Sequence, residues 1–530
     1  VDIATLVDRA ARRFGDRIAV EGPDAAGSWQ QLSFAALGER VARLAVGLRR
    51  LGLEPGDRVL DLQTNSTTYL ETDLAIRAAG LVRVALNHRL HPDDWARIAA
   101  DCRATTLIHD VRFSGDVVGL AADMEHVLVV GVTGDDAARA GGPSSCLETL
   151  LDTPAPAAPF SSEADALCGL HYSSGTTGHP KGAQRTHRNW LAGTINMTHD
   201  VLGGPPSETD VYCHAGPITH TSGLFVLPFL VAGARQLIMP KWDPERFADA
   251  VTRHGVTHTA VVPTMVSRLL ALADDTLGPL RDRMKMLGYA GAPMPTEVIR
   301  AAHERITANL VQYYGLVEAI PPVTVLDAAD HARGLAGEPD LLASAGRTAL
   351  GVELRVVDSA GQSLPEGEVG EVITRGDHVM RGYWNGSGRT DLGKAVVDGW
   401  LHTGDLGRMD NAGRLWLVDR VGDMIITGGY NVYPREVEDV VAEVPGVSQV
   451  AVLGVTDPDW GQRVVALYTG EPDVGEDAVI SHCRARLASY KRPKQAIRVE
   501  AFPLNSTQKI AKKVLRERLE RGEEVASWTG

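Results

Sequence analysis

From Phe34 onward the apolar residues Val41, Leu44, Ala45 and Leu48 return at helical spacing until Gly52, and Pro55-Gly56-Asp57 then turns the chain into the apolar run Val59 to Leu62. This predicts a helix followed by a strand. The alternation continues through strand candidates at Leu81 to Leu86, Thr106 to His109 and Val127 to Val130, with helical segments between them, as a doubly wound α/β sheet requires. Gly131 to Asp165 breaks the pattern with Gly-Gly-Pro, Pro-Ala-Pro and Ser-Ser clusters and reads as a surface connection. A second α/β series follows, with strand candidates at Gln236 to Met239, Thr257 to Val262, Met286 to Tyr289 and Leu310 to Tyr313. Polar and glycine-rich motifs sit at the ends of the last two, where open α/β sheets place their ligands. From Gly351 to Val418 two-residue alternation at Glu353 to Val357, Val369 to Thr374 and Leu415 to Val418 predicts a small β subdomain, and Asp419 to Asp423 leads into a compact α+β tail. The predicted class is α/β: a large N-terminal domain of two doubly wound α/β subdomains plus a small β subdomain, then a small α+β C-terminal domain.

Composition narrows the partners. At 530 residues, 44% hydrophobic and 23% charged, the chain can bury more than one core. A net charge of −14 argues against nucleic acid or an anionic membrane as the main partner, while leaving room for local basic patches. The five cysteines (Cys102, Cys146, Cys168, Cys213, Cys483) lie far apart without a Cys-x-x-Cys, so neither a disulfide framework nor a zinc site is indicated and a reducing cytoplasm is expected. Charges at Asp2, Asp8, Arg9, Arg12 and Arg13 break up the N-terminus as no secretory signal would. The longest apolar run, Gly223 to Gly233, contains Pro228 and is too short to cross a bilayer, so no membrane span is expected. The bias to alanine, arginine and glycine points to a GC-rich bacterial genome.

The stretch Tyr172 to Ala183 reads Tyr-Ser-Ser-Gly-Thr-Thr-Gly-His-Pro-Lys-Gly-Ala. Gly175 and Gly178 can turn successive backbone N–H groups towards an anion, Ser173, Ser174, Thr176 and Thr177 add hydroxyl donors, and Lys181 adds a fixed positive charge. An exposed polar turn would explain the glycines and hydroxyls but would not need the lysine. A Walker loop is excluded, because only two residues separate Gly175 from Gly178 and Lys181 lies beyond.

Three further stretches accompany this loop: Gln312-Tyr313-Tyr314-Gly315-Leu316-Val317-Glu318, Trp400-Leu401-His402-Thr403-Gly404-Asp405, and Asp419-Arg420 through Gly428-Gly429-Tyr430-Asn431-Val432-Tyr433-Pro434. Lys509 sits in a fourth. In kind and order they resemble the signatures of the adenylate-forming superfamily, which includes acyl-CoA synthetases, luciferases and the adenylation domains of peptide synthetases. The resemblance covers essentially the whole chain. It implies an adenylate- and acyl-binding domain at 1–421 and a C-terminal domain at 422–530, hinged at Gly422, that rotates between two half-reactions. The implied cofactors and partners are ATP or a supplied acyl-adenylate, magnesium, coenzyme A and a carboxylic acid.

By the same resemblance, Gln312 meets the adenine edge, Tyr313, Tyr314 and Gly315 lie at the base, and Gly291-Ala292-Pro293 form its opposite wall. A core tyrosine is the rival reading of Tyr314. Asp405 holds the ribose hydroxyls with Arg420 beside it, and Glu318 is the magnesium carboxylate. Lys509 is the mobile lysine that reaches the α-phosphate, although alone it would read as a solvated helix start. His220 matches the gate between acyl pocket and thiol tunnel, with a satisfied structural histidine as its rival. Gly223, Thr264 and Gly288 line the pocket, with Leu224, Phe225 and Met265 as neighbours. Gly428, Gly429 and Tyr430 line the pantetheine tunnel, and Lys491 and Arg492 are set against CoA phosphates. No acidic residue lies between His214 and Gly223 to hold an amino group, which disfavours an amino acid as substrate. The sequence ends shortly after Lys509, from which no carrier domain is expected.

Three positions depart from the family pattern. Val317 stands where a threonine is expected, Gly422 where Asp or Lys is usual at the hinge, and Gln508 where a glycine precedes the lysine. The first and third touch adenylation. The expected activity is therefore an acyl-CoA ligase for a non-amino carboxylic acid, with the adenylation half impaired so that it mainly thioesterifies a supplied acyl-adenylate, as would suit a bulky apolar acid such as a terpenoid in actinobacterial secondary metabolism. An acyl-AMP ligase loading a carrier protein and a non-catalytic adenylate-binding paralogue are the competing readings.

Overall fold

A computed structural model describes residues 1–132, 144–173, 181–384, 390–391, 395–427, 430–504 and 509–523. The chain packs as two compact units: Val1–Leu354, Thr374–His402 and Ala412–Leu415 make the first, and Arg355–Ile373, Thr403–Asn411 and Trp416–Gly530 the second.

The first unit holds the two predicted α/β series. In one sheet the strands run in the order Thr390–Asp391, Tyr383–Trp384, Lys181–Thr186, Leu167–Ser173, Val82–Ala85, Arg58–Leu62, Thr106–Asp110, His126–Val130 and Ser144–Cys146. Pairing is parallel from Leu167–Ser173 onward and antiparallel before it. In the other, the order is Gly346–Thr348, Ala319–Leu326, Leu310–Leu316, Met286–Tyr289, His258–Val261, Val211–His214, Arg235–Ile238, Ile18–Pro23 and Trp29–Ser33. The predicted helix spans Phe34–Arg50, and the Ser33 hydroxyl caps it by accepting from the Ala36 N–H.

The structure departs from the sequence pattern where a strand is polar or very short. Lys181–Thr186 has no apolar run, and Ser144–Cys146, inside the expected surface connection, has only three residues, so neither carries a readable period. The apolar run Gly223 to Gly233 is a 3₁₀ turn at Thr221–Phe225 followed by the helix Val226–Ala232. Among the described residues no helix is long and apolar enough to cross a membrane.

Helix Thr67–Ala78 is buried along its whole length despite carrying Glu71, Asp73 and Arg77. Its charges are matched internally. Asp73 pairs with Arg77 at 3.0 Å and with Arg83 at 2.7 Å, Arg83 reaches Asp61 at 2.9 Å and donates to the Tyr69 hydroxyl, and Glu71 pairs with Arg40 at 2.6 Å. Buried ions persist only when paired in this way.

In the second unit, parts of the strands Glu353–Val357, Gly370–Arg375, Trp400–Met409 and Arg414–Arg420 form a β layer in that order. Beyond it a C-terminal sheet orders Tyr430–Val432, Ile425–Thr427, Gly461–Gly470 and Val447–Asp457, with Gln495–Arg498 parallel to Gly461–Gly470. Two-residue alternation divides its faces. Val452, Val464 and Ala466 pack on Val437, Val441 and Val479 of helices Pro434–Ala442 and Glu476–Arg486, whereas Ala451, Leu453 and Leu467 pack on Leu515 of helix Lys512–Glu520. The chain thus has a large N-terminal α/β part with β elements and a smaller α+β C-terminal part.

Glu71 yields a stability prediction. Burial pushes its carboxyl from 4.5 up to about 7, only partly offset by Arg40. The folded chain then keeps a proton that the unfolded chain releases, so the contribution of Glu71 is full below pH 4.5 and is lost as the pH rises through 7. Glu71→Gln should flatten the fall in melting temperature across this window. An unchanged slope in paired melting curves would show that Glu71 is ionised beside Arg40.

Candidate active site

The antiparallel strands Leu167–Ser173 and Lys181–Thr186 close on the pair Ser173 and Lys181. Ser174, Gly175, Thr176, Thr177 and Gly178, which complete the expected phosphate loop, lie outside the described residues. The base of this hairpin is firmly seated. The Tyr172 hydroxyl donates to Asp101 at 2.5 Å, and a Cβ on Gly182 would come within 2.8 Å of the Tyr172 ring.

Alternation puts Lys181, Ala183 and Arg185 on one face of their strand, and Tyr383 pairs directly opposite Ala183. The methyl group of Ala183 leaves space for the tyrosine ring. The Lys181 ammonium lies 5.4 Å from the centre of that ring, and the Tyr383 hydroxyl donates to Glu318 Oε1 at 2.8 Å. Burial and the Glu318 charge push the phenol up, so Tyr383 stays a donor. Val317 and Glu318 form the turn between strands Leu310–Leu316 and Ala319–Leu326. Met380 N–H donates to the Glu318 carbonyl at 2.8 Å, and Arg185 Nη2 to the Val317 carbonyl at 2.8 Å. The Val317 side chain packs on the apolar cluster of Ala319, Val323 and Met380. Neither Arg185 nor Tyr383 was singled out from the sequence. Arg185 sits in a polar stretch next to a recognised motif, and only strand pairing brings Tyr383 to Lys181.

Strand Leu310–Leu316 is parallel to Met286–Tyr289 and antiparallel to Ala319–Leu326, so the sheet changes direction at the expected base site. It runs three residues past its predicted end and includes Tyr314 and Gly315. Gln312 Oε1 is buried and has no hydrogen-bond partner among the described residues, which makes it an acceptor suited to the amino group of adenine. Tyr314 is half-buried beside the Val317 cluster. Tyr313 points the other way and lies in the core, edge-on to Phe225 at 6.3 Å. Gly315 is required by close approach, since a Cβ would meet Pro321 at 2.7 Å. Gly291, Ala292 and Pro293 form an exposed loop beyond the carboxyl end of Met286–Tyr289, and Gly291 has φ +87°.

The segment bearing His220 is tied down by Asn65, which follows the strand Arg58–Leu62. Asn65 Nδ2 donates to the carbonyls of Gly216 at 2.8 Å and Met239 at 3.1 Å, and its Oδ1 accepts from Ile218 N–H at 2.9 Å. Nothing in the sequence marks this asparagine as different from an ordinary turn residue. His220 has an exposed side chain, yet removal from bulk water and then the charges of Arg89 and His88 hold its imidazole down to about 4. Its Nδ1 lies 2.8 Å from Thr219 Oγ1, and the ring is neutral at physiological pH. His214 is the structural histidine of this segment, held between Ser222 Oγ at 2.9 Å and Gln236 Oε1 at 3.0 Å. Gly223 is packed so that a Cβ would meet the Ile218 carbonyl at 2.2 Å. Thr264 is exposed at the start of helix Pro263–Leu270, while Gly288 is buried, with Ala260 at 3.3 Å from its would-be Cβ. Leu224 and Phe225 belong to the core, where Phe225 stacks on Tyr212 at 4.5 Å.

In the second unit Asp405 and Arg420 pair at 2.9 Å, and Thr403 Oγ1 accepts the Asp405 N–H at 3.0 Å. Lys509, 104 positions beyond Asp405 in the sequence, comes close enough to feel both charges. Lys509 is exposed, yet desolvation by its neighbours and then Arg420 lower its ammonium, against the opposing pull of Asp405. Tyr430 is exposed and stacks on Tyr490 at 4.7 Å; Gly428, Gly429 and Gln508 lie outside the described residues. Lys491 is committed to Glu436 at 2.6 Å and Arg492 to the Leu487 carbonyl at 2.9 Å. Gly422 lies in an exposed turn, has no positive φ, and would meet nothing within 4 Å if it carried a Cβ.

Asn65→Ala should orphan two carbonyls and one N–H, at about 1–3 kcal/mol for each group that stays buried. Amide hydrogen exchange across residues 214–220 is expected to accelerate and the melting temperature to fall. Exchange at the parent rate would show that the segment holds its shape without Asn65.

The whole chain has relatives. Residues 7–384 match the AMP-binding enzyme family and residues 436–509 the AMP-binding enzyme C-terminal domain. Feruloyl-CoA synthase of Amycolatopsis sp is 36% identical over 492 residues, covering 92% of this chain and 94% of its own. Indoleacetate–CoA ligase of Aromatoleum aromaticum is 31% identical over 98% of this chain and 99% of its own. Among solved structures, ATP-bound MatB from Rhodopseudomonas palustris aligns with a TM-score of 0.84 at 29% identity, over 99% of this chain and 100% of that one. The o-succinylbenzoate CoA synthetase of Bacillus subtilis, in complex with its acyl-adenylate intermediate, aligns at 0.82 with 26% identity over 97% of each chain. With both family regions present in order and full-length relatives on either side of the comparison, the chain belongs to the AMP-binding enzyme family and is an AMP-forming acid–thiol ligase of the acyl-CoA synthetase branch of the adenylate-forming superfamily.

Proposed function

We propose that the chain converts a bulky, non-amino carboxylic acid into its CoA thioester through an acyl-adenylate, and that the adenylation half is the weaker of the two. In the first step a carboxylate oxygen bonds to the α-phosphorus of ATP and pyrophosphate leaves. In the second the CoA sulfur bonds to the acyl carbon, the bond to the AMP oxygen breaks, and the thiol proton is released. Lys181 and the adjoining loop hold phosphates, Gln312 and Tyr314 hold the base, and Asp405 with Arg420 holds the ribose. Lys509 carries positive charge to the reacting phosphate, and the 428–430 loop receives pantetheine after the 422–530 domain turns at Gly422. The neutral ring of His220 suits an apolar acyl group. The names of the relatives, feruloyl, indoleacetate and succinylbenzoate, support an acid of that bulk without an amino group.

Magnesium fits the donor set in one way. Among the described residues no group of three or more His, Cys, Asp or Glu side chains is placed to hold a metal ion, so Glu318 would supply one carboxylate and the triphosphate the other charged ligands. When bound, the ion neutralises charge on the departing pyrophosphate. The five buried free cysteines fit a reducing cytoplasm, where we place the protein.

The observation that carries the inequality is the Val317 side chain, which packs on Ala319, Val323 and Met380 and offers no hydroxyl at the turn bearing Glu318. One charge-assisted donor lost from a phosphate site costs about 1.5–3 kcal/mol, roughly ten- to a hundredfold in rate. Pyrophosphate exchange with acid and ATP should therefore run slower than thioester formation from supplied acyl-adenylate and CoA. Val317→Thr, alone or with Gln508→Gly, should recover part of the exchange. Exchange as fast as thioester formation in the unmodified protein would reject the inequality, and acyl transfer to a phosphopantetheinyl carrier but not to CoA would reject the acceptor.

A further inference from the structure

Arg185 is 5% exposed, and among the described residues no carboxylate pairs with it. Its guanidinium donates to the Val317 carbonyl from Nη2 at 2.8 Å and from Nε at 3.3 Å, and it lies 5.6 Å from the centre of the Trp190 ring. Arg77 stands over the same ring at 4.2 Å but has its own partner in Asp73. The charged or titratable groups around Arg185 are Glu318, Arg77, Cys168 and His171. Arg77 repels it more than Glu318 attracts it, and the Glu318 carboxylate is already shared with Tyr383. A cation so deeply buried costs several kcal/mol unless an anion compensates it.

We propose that Arg185 is the positioning residue of the Val317–Glu318 turn and the buried countercharge for the triphosphate of magnesium-ATP. Its hydrogen bonds fix the turn through the backbone, where no hydroxyl at position 317 can help. Its uncompensated charge, on the same strand face as Lys181, makes the neighbourhood of Glu318 favourable to phosphate. Arg185 touches neither substrate nor metal; it acts through the turn and through its field.

This inference rests on the adenylating role proposed above, but its test needs no turnover. Calorimetry without acid would compare magnesium-ATP with AMP, which lacks the β- and γ-phosphates. Arg185→Met, close in size and uncharged, should weaken magnesium-ATP about ten- to a hundredfold. It should also raise the magnesium concentration needed for half-saturation and leave AMP affinity nearly unchanged. Arg185→Lys should recover part of the loss, because it restores the charge but not the two-point grip on the carbonyl. An unchanged ratio of ATP to AMP affinity in either variant overturns the proposal, as does a loss that only tracks a lower melting temperature. If the methionine variant fails to fold, the ratio in the lysine variant decides. Slow or rapid pyrophosphate exchange in the unmodified protein leaves this comparison untouched, so the two readings can fail separately.

Discussion

Two cations on one face of a single strand, with one small alanine between them, set the geometry around the Glu318 turn. The pairing of Lys181–Thr186 with Leu167–Ser173 orients Lys181 and Arg185 alike, and the small Ala183 lets Tyr383 lie across from it between them. Tyr383 then reaches Glu318, and Arg185 reaches the carbonyl before it. A slip of one residue in that register would turn Lys181, Ala183 and Arg185 to the other face and take the Arg185 hydrogen bonds away from the Val317 carbonyl.

Charge is handled differently in the scaffold and in the site. Along helix Thr67–Ala78 and the neighbouring strands, Asp61, Asp73, Arg77 and Arg83 neutralise one another inside the protein. Around the turn at 317–318 the balance is left open, with Lys181 and Arg185 against Glu318. An open balance is costly in a resting protein and useful where a polyanion must bind, because the field is in place before the ligand arrives. His220 follows a third course: desolvation, and then the nearby Arg89 and His88, keep its ring neutral.

The glycines divide by whether anything touches them. At Gly182, Gly223 and Gly315 a Cβ would run into Tyr172, Ile218 and Pro321, so glycine answers a demand of packing. Gly422 meets no such demand, since its surroundings are open and its backbone is one that other residues adopt. Glycine at 422 is therefore required neither by packing nor by backbone angle in this conformation.

The sequence by itself determined the α/β class, most of the parallel strands and the order of the signature motifs. Each of these is local: an apolar run, a period, or a spacing within a dozen residues. Gln312, Glu318, Lys181, Asp405 and Lys509 were therefore legible as candidates before any contact was known. Polar strands such as Lys181–Thr186 were not, because their burial comes from neighbours far along the chain. For the same reason, only the tertiary structure decided that Tyr313 belongs to the core and Gln312 does not, that Asn65 holds the His220 segment, and that Lys509 stands near Asp405 and Arg420. It alone also decided that Arg185 is a buried cation with no carboxylate paired to it among the described residues, since burial and pairing are properties of everything packed around a residue and leave no mark in its immediate sequence.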